Sequence, residues 1–270
     1  MAKLWFLILS TFLIFQSHLI HADSSMRRPR ALVYRGPAAC EGCPESVAAL
    51  LRSSPQNFKV RYAGPKEAIR ITPENLKKFD LYAQPGGGDD VDETFAQVAA
   101  YAPAIRDFVA NGGRYFGICL GAFFGGPSPG YGLLPEGADA KSEMLQKGAQ
   151  VTNADDAVIQ MDWMWATGPK AGQAIKKRWV YFQDGAVILK FVQGKDAFVL
   201  GRYSSNGDVA ATLNKFGRGW VGLVGPHPEA DQDWFDDEDL RAPDGLSFDI
   251  GHDLIEAIMS GGPIHPKEGL

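Results

Sequence analysis

A chain of 270 residues, 45% of them hydrophobic, is long enough to bury one sizeable core. With 32 acidic against 27 basic residues and a net charge of −5, it lacks the positive excess that nucleic acid would call for, and no nucleic-acid partner is expected. Three cysteines leave no second pair to complete a zinc site, so no metal is expected.

In chain order, residues 1–22 read as a signal peptide. Lys3 supplies the positive end, Leu4 to Phe15 the apolar core, and Ala22 a small residue at the cleavage point. The run is short for a membrane span, although Leu19 and Ile20 prolong it and leave a retained anchor as the alternative. The expectation is a secreted or periplasmic chain with no stable membrane insertion after signal removal. Arg30 to Arg35 then reads as a first strand and Pro44 to Ser53 as a helix that Pro44 can begin without losing a needed N–H. Strands follow at Phe58 to Tyr62 and Leu81 to Gln84, with a short helix near Pro73 to Lys78 between them, then a helix over Glu93 to Asn111 and a strand at Tyr115 to Ile118. That alternation requires a parallel sheet covered on both faces, with its functional loops at the strands' C-terminal ends.

The second half changes character. Val158 to Trp163, Trp179 to Phe182, Ala186 to Phe191, Ala197 to Tyr203, Val209 to Phe216 and Gly219 to Val224 are short, rich in β-branched and aromatic residues, and separated by turns such as Gln183-Asp184-Gly185. They predict an antiparallel extension that returns Trp220 to Val224 to the main sheet. A closing helix is expected over Phe248 to Met259, its apolar face on the sheet.

Gly117 and Gly121 flank Cys119 at i−2 and i+2, which is the spacing of a strand-to-helix nucleophile elbow with cysteine in place of serine. A reactive thiol and a small buried cysteine are both compatible with that pentapeptide. Two further strand ends favour reactivity. His227 follows an apolar strand with Glu229 two residues on, where the carboxylate can fix the imidazole tautomer. Pro85-Gly86-Gly87-Gly88 follows another, and its amides, with that of Leu120, can face an oxyanion. Of the other histidines outside the leader, His252 lies inside the last helix and His265 in a Pro-rich tail, and neither is a candidate.

The stretches VYRGPAACEGCPESV, QPGGGDD, GICLGAFF and VGLVGPHPEAD resemble the class I glutamine amidotransferase superfamily, and within it the proteins that carry a biotin-protein ligase N-terminal domain. The resemblance runs from about Arg30 to Ser260 and implies an α/β, flavodoxin-like, doubly wound and mainly parallel sheet with the antiparallel extension, forming one domain over residues 23–270. It implies Cys119 as nucleophile, His227 and Glu229 as the rest of a triad, and Gly87 and Gly88 as oxyanion-hole residues. Acyl transfer through such a site requires no organic cofactor. Phe123 occupies the place of a glutamine in the superfamily's elbow, and no synthetase half is seen. The expected substrate is therefore a small-molecule or peptide amide more apolar than glutamine, with Phe123 in contact with it. The alternative is a non-catalytic ligand- or partner-binding domain on the same scaffold.

In an exported chain Cys40 and Cys43 are expected to form a disulfide, with a redox-active pair as the sharper reading. The acidic run from Glu229 to Asp239 lacks the spacing of a calcium loop and reads as a solvated face.

Overall fold

The computed structural model describes residues 27–88 and 90–262. The expected signal peptide and His265 lie outside the described residues.

The first half alternates as expected. Strand β1 (Arg30–Tyr34), helix α1 (Cys43–Ser53), β2 (Lys59–Ala63), α2 (Pro73–Leu76), β3 (Leu81–Gln84), α3 (Val91–Ala96), α4 (Ala102–Ala110) and β4 (Arg114–Ile118) lead into the single turn α5 (Leu120–Phe123). One long helix was expected where α3 and α4 stand. It breaks at a 3-10 turn over Ala99–Tyr101, after which Pro103 sits in the first turn of α4, where its missing N–H costs no hydrogen bond. Asp90 caps α3 by accepting from the Glu93 amide at 2.9 Å.

The second half adds β5 (Asp139–Ser142), β6 (Ala157–Met164), β7 (Ala174–Phe182), β8 (Ala186–Leu189), β9 (Ala197–Tyr203), β10 (Val209–Phe216), β11 (Gly219–Val224), α6 (Gln232–Asp237) and α7 (Asp249–Ser260). Nine strands form one sheet in the order β2-β1-β3-β4-β11-β10-β9-β6-β7. The five strands from β2 to β11 are mutually parallel, and from β11 outward every pairing is antiparallel. The last strand of the second half thus returns beside β4, as the sequence predicts. Two polar or short strands behave differently: β5 (DAKS) pairs only with β8, in a separate two-stranded ribbon. The acidic run is carried by α6 and the turn after it.

Period-two alternation explains why both faces of the parallel half are covered. Ala31 and Val33 of β1 face one core with Val47, Leu50 and Leu51 of α1 and Ile250, Leu254 and Ile258 of α7. Leu32 and Tyr34 face the other with Leu76 of α2, Ile105 and Val109 of α4, and Phe124. The antiparallel half is tied back to α7 by one buried carboxylate. Asp253, only 4% exposed, accepts from Trp163 Nε1, the Ala166 amide, and both the amide and hydroxyl of Thr167, at 2.6 to 2.9 Å. Among the described residues no helix is long and apolar enough to cross a membrane.

Candidate active site

Strands β3, β4 and β11 are neighbours, so their C-terminal ends bring the glycine loop, Cys119 and His227 to one edge of the sheet. Cys119 occupies the turn between β4 and α5 at φ 51° and ψ −111°, a backbone conformation that costs energy for any residue with a Cβ. Its amide donates to Val224 O at 2.9 Å and its carbonyl accepts from Ala122 and Phe123, which pins the strained turn. The flanking glycines are required by contact. A Cβ on Gly117 would lie 2.3 Å from Gly121 O, and one on Gly121 would lie 2.0 Å from Gln84 O. Beneath the elbow, Tyr115 Oη donates to Gly121 O at 2.7 Å, and Tyr82 Oη to Gln84 Oε1 at 2.8 Å. Sequence reading missed this buried tyrosine layer because strand tyrosines are indistinguishable from ordinary core residues in one sequence.

The helix after the elbow is shorter than the sequence suggests. Four residues in one turn do not sum to a large dipole, so any stabilisation of negative charge at Cys119 comes from individual N–H groups. Leu120 leads that turn. The amides of Gly87 and Gly88 make no hydrogen bond among the described residues, and both residues face the same small cavity as Cys119. A Cβ on Gly87 would come 2.6 Å from Leu120 Cδ2 and 3.0 Å from Ala38 O, so the loop must be glycine to lie this close to the elbow.

His227 Nδ1 and Glu229 Oε1 are 2.9 Å apart, and the two residues are 3% and 1% exposed. The ring is held further by its amide, which donates to Tyr181 O at 2.9 Å, and by edge-on packing of Tyr181 and tilted packing of Trp234. Nε2 is buried without a hydrogen-bond partner among the described residues. Burial disfavours charge on the ring, but its interactions with Cys119 and Glu229 outweigh that and raise His227 from 6.5 to about 10. Gly86 shows how close the parts are: a Cβ there would lie 2.9 Å from His227 Cε1 and 3.5 Å from Cys119 Cβ.

The site is covered. Cys119 is 7% exposed, and its thiol donates to Gln183 O at 3.5 Å in the turn between β7 and β8. The remaining cavity, about 20 Å³, is lined by Gly87, Gly88, Val91, Leu120, Phe123, Gln183 and Asp184 around the sulfur. Phe123 lies on the wall of this cavity beside Cys119. Ser142 Oγ donates to Asp184 Oδ1 and anchors the covering turn to β5. Cys40 and Cys43 are joined by a disulfide with Cα atoms 5.4 Å apart. His252, outside the site, lies 3.0 Å from Ser53 Oγ. Among the described residues no group of three or more His, Cys, Asp or Glu side chains is arranged to hold a metal.

Residues 30–131 match the family model described as biotin-protein ligase, N terminal. That segment contains the glycine loop and Cys119 and ends before His227. Among solved structures, a glutamine amidotransferase from Thermotoga maritima superposes with a TM-score of 0.54 at 13% identity, covering 86% of this chain and 98% of that one. The chain has the class I glutamine amidotransferase-like fold. A thua-like protein from Bacteroides uniformis (TM-score 0.52, 14% identity, 87% and 95% covered) has a similar fold. So does a glutamine amidotransferase from Methylobacillus flagellatus (0.50, 12%, 90% and 98%). At these identities the likeness is one of fold. No curated protein matches the sequence.

Proposed function

We propose that this is an exported cysteine hydrolase acting on an amide or peptide-type bond through Cys119, His227 and Glu229, in one domain over residues 23–270 behind a cleaved leader. The observation that carries the reading is the meeting of three strand ends: a strained elbow cysteine, a buried His227–Glu229 pair, and glycine-loop amides beside the sulfur that make no hydrogen bond among the described residues. In this mechanism Cys119 Sγ attacks the carbonyl carbon, and the oxyanion turns toward the amides of Gly87, Gly88 and Leu120. His227 carries its proton through the neutral range, so it acts first as the acid, giving the proton from Nε2 to the departing amine. Water then hydrolyses the thioester, with the neutral ring as base and Glu229 holding it through Nδ1.

Val91, Leu120 and Phe123 give the cavity an apolar wall. An apolar acyl group suits it, whereas leaving glutamine's charged ends unpaired would cost several kcal/mol. The test is product release from free glutamine, acyl-amides and short peptides by wild type and Cys119→Ala. Turnover of an apolar amide or peptide, lost in Cys119→Ala, is expected. Efficient Cys119-dependent ammonia release from glutamine would overturn the substrate class. N-terminal sequencing of protein exported by its host is expected to begin near Asp23.

The covered sulfur favours one second reading, a binding domain that keeps the triad's shape. It predicts no turnover across the panel together with a Cys119 thiol whose reactivity is unchanged by His227→Gln.

A further inference from the structure

The Cys40–Cys43 disulfide stands against the candidate site. The Cys40 amide donates to Gly86 O at 3.1 Å, tying the first-helix turn to the glycine loop. The three heavy atoms nearest to a Cβ built on Gly86 are His227 Cε1 at 2.9 Å, Cys119 Cβ at 3.5 Å and Cys40 Sγ at 3.7 Å. A side chain at Gly86 would thus touch both the elbow cysteine and one sulfur of the disulfide. The two sulfurs of the pair are not equivalent. Cys40 is partly exposed and faces Gly86, while Cys43 is 2% exposed and is the first residue of the eleven-residue helix α1.

We propose that Cys40 is a second covalent partner of Cys119, and that the three cysteines form an intramolecular thiol–disulfide exchange site. In the exchange His227 holds the proton and the Cys119 thiolate attacks Cys40 Sγ. A Cys40–Cys119 bond forms, the Cys40–Cys43 bond breaks, and its electron pair leaves on Cys43, which takes the proton. One thiol and one disulfide stand on each side, so no oxidant or reductant is consumed. The direction of attack follows from placement: Cys40 is the sulfur that lies against Gly86, and the N-terminus of α1 stabilises negative charge on the departing Cys43. Cys119 locked to Cys40 cannot attack a carbonyl, so the exchange would also silence the hydrolase. The exchange itself does not depend on the hydrolase reading, because it involves no carbonyl substrate.

The experiment traps the exchanged bond. The mature Cys43→Ser protein, oxidised with diamide and mapped by mass spectrometry without reduction, is expected to yield the Cys40–Cys119 linked peptide at a rate unchanged by tenfold dilution. Cys40→Ser under the same treatment is expected to yield little Cys43–Cys119 link. Wild type, incubated at pH 8 with a small alkylating reagent and then reduced, is expected to contain molecules alkylated at Cys43 and protected at Cys119. A folded Cys43→Ser protein that forms only intermolecular disulfides would overturn the proposal. Should that variant not fold, absence of the Cys43-alkylated, Cys119-protected species from wild type would do the same. Loss of turnover with trapping intact would strike the hydrolase reading alone.

Discussion

Cys119 and His227 hold conformations and charges that an isolated residue would not keep. The first has a positive φ with a Cβ, and the second stays protonated to about pH 10 although it is buried. The sign of the second effect on stability follows from linkage. A ring raised from 6.5 to about 10 contributes stability that is complete below pH 6.5 and is lost as pH rises through 10. His227→Gln is therefore expected to flatten the fall in unfolding free energy between those pH values, read by urea titration at a series of pH. An equally steep fall in the variant would place the lost proton elsewhere. A second buried group acts lower on the scale. Glu143, 2% exposed, accepts from Asn206 Nδ2 at 2.8 Å, while its other oxygen has no partner among the described residues. Burial is the main cause that raises it from 4.5 to about 7, against the Asn206 hydrogen bond. The unfolded chain gives up that proton first, so wild type loses stability as pH climbs from 4.5 through 7. Glu143→Gln should be more stable relative to wild type at pH 8 than at pH 4, and a constant difference across that range would contradict the assignment.

Elements whose register is enforced by a buried face were legible in the sequence, and those fixed by tertiary contacts were not. Leu81–Gln84, Ala197–Tyr203, Val209–Phe216 and Gly219–Val224 stand where alternation or apolar runs place them. The elbow and the His-Pro-Glu loop were legible because each follows an apolar strand, and matching chemistry at several strand ends points to one edge of a parallel sheet. By contrast β5 is polar and exists only by pairing with β8, and the front of β7 (AIKKR) is exposed charge held by its partner β6. Nothing in a single sequence marks Asp253 either, since an acidic residue in a helix is ordinarily solvated. Yet its carboxylate collects four donors from the end of β6 and the loop after it, anchoring α7 to the antiparallel half. Asp253→Ala strands those donors, at a cost of at least about 3 kcal/mol. A drop of that size in the urea midpoint free energy is expected, and a loss below about 1 kcal/mol would show that the loop finds other acceptors.

The whole molecule joins a parallel half to an antiparallel half at the β4–β11–β10 boundary, and the candidate site lies where the halves meet. Cys119 and the glycine loop belong to the parallel half, while the turn that covers the sulfur, Gln183 to Gly185, belongs to the antiparallel half. A ligand larger than the cavity of about 20 Å³ must therefore lift that turn to reach the sulfur. An opening that costs only about 1.4 kcal/mol already slows access tenfold. Native protein is accordingly expected to react with iodoacetamide in strong preference to a bulky maleimide, by at least about tenfold more than the urea-unfolded chain does. Gly185 offers the control, because a Cβ there would lie 2.5 Å from Gly225 O, a backbone atom that cannot swing aside. Gly185→Ala should push the turn outward and erase most of the preference while His227 and Glu229 stay in place. A native wild type that discriminates no better than unfolded chain would mean that the turn does not guard Cys119. A preference undiminished in Gly185→Ala would assign the guarding to the walls made by Leu120 and Phe123.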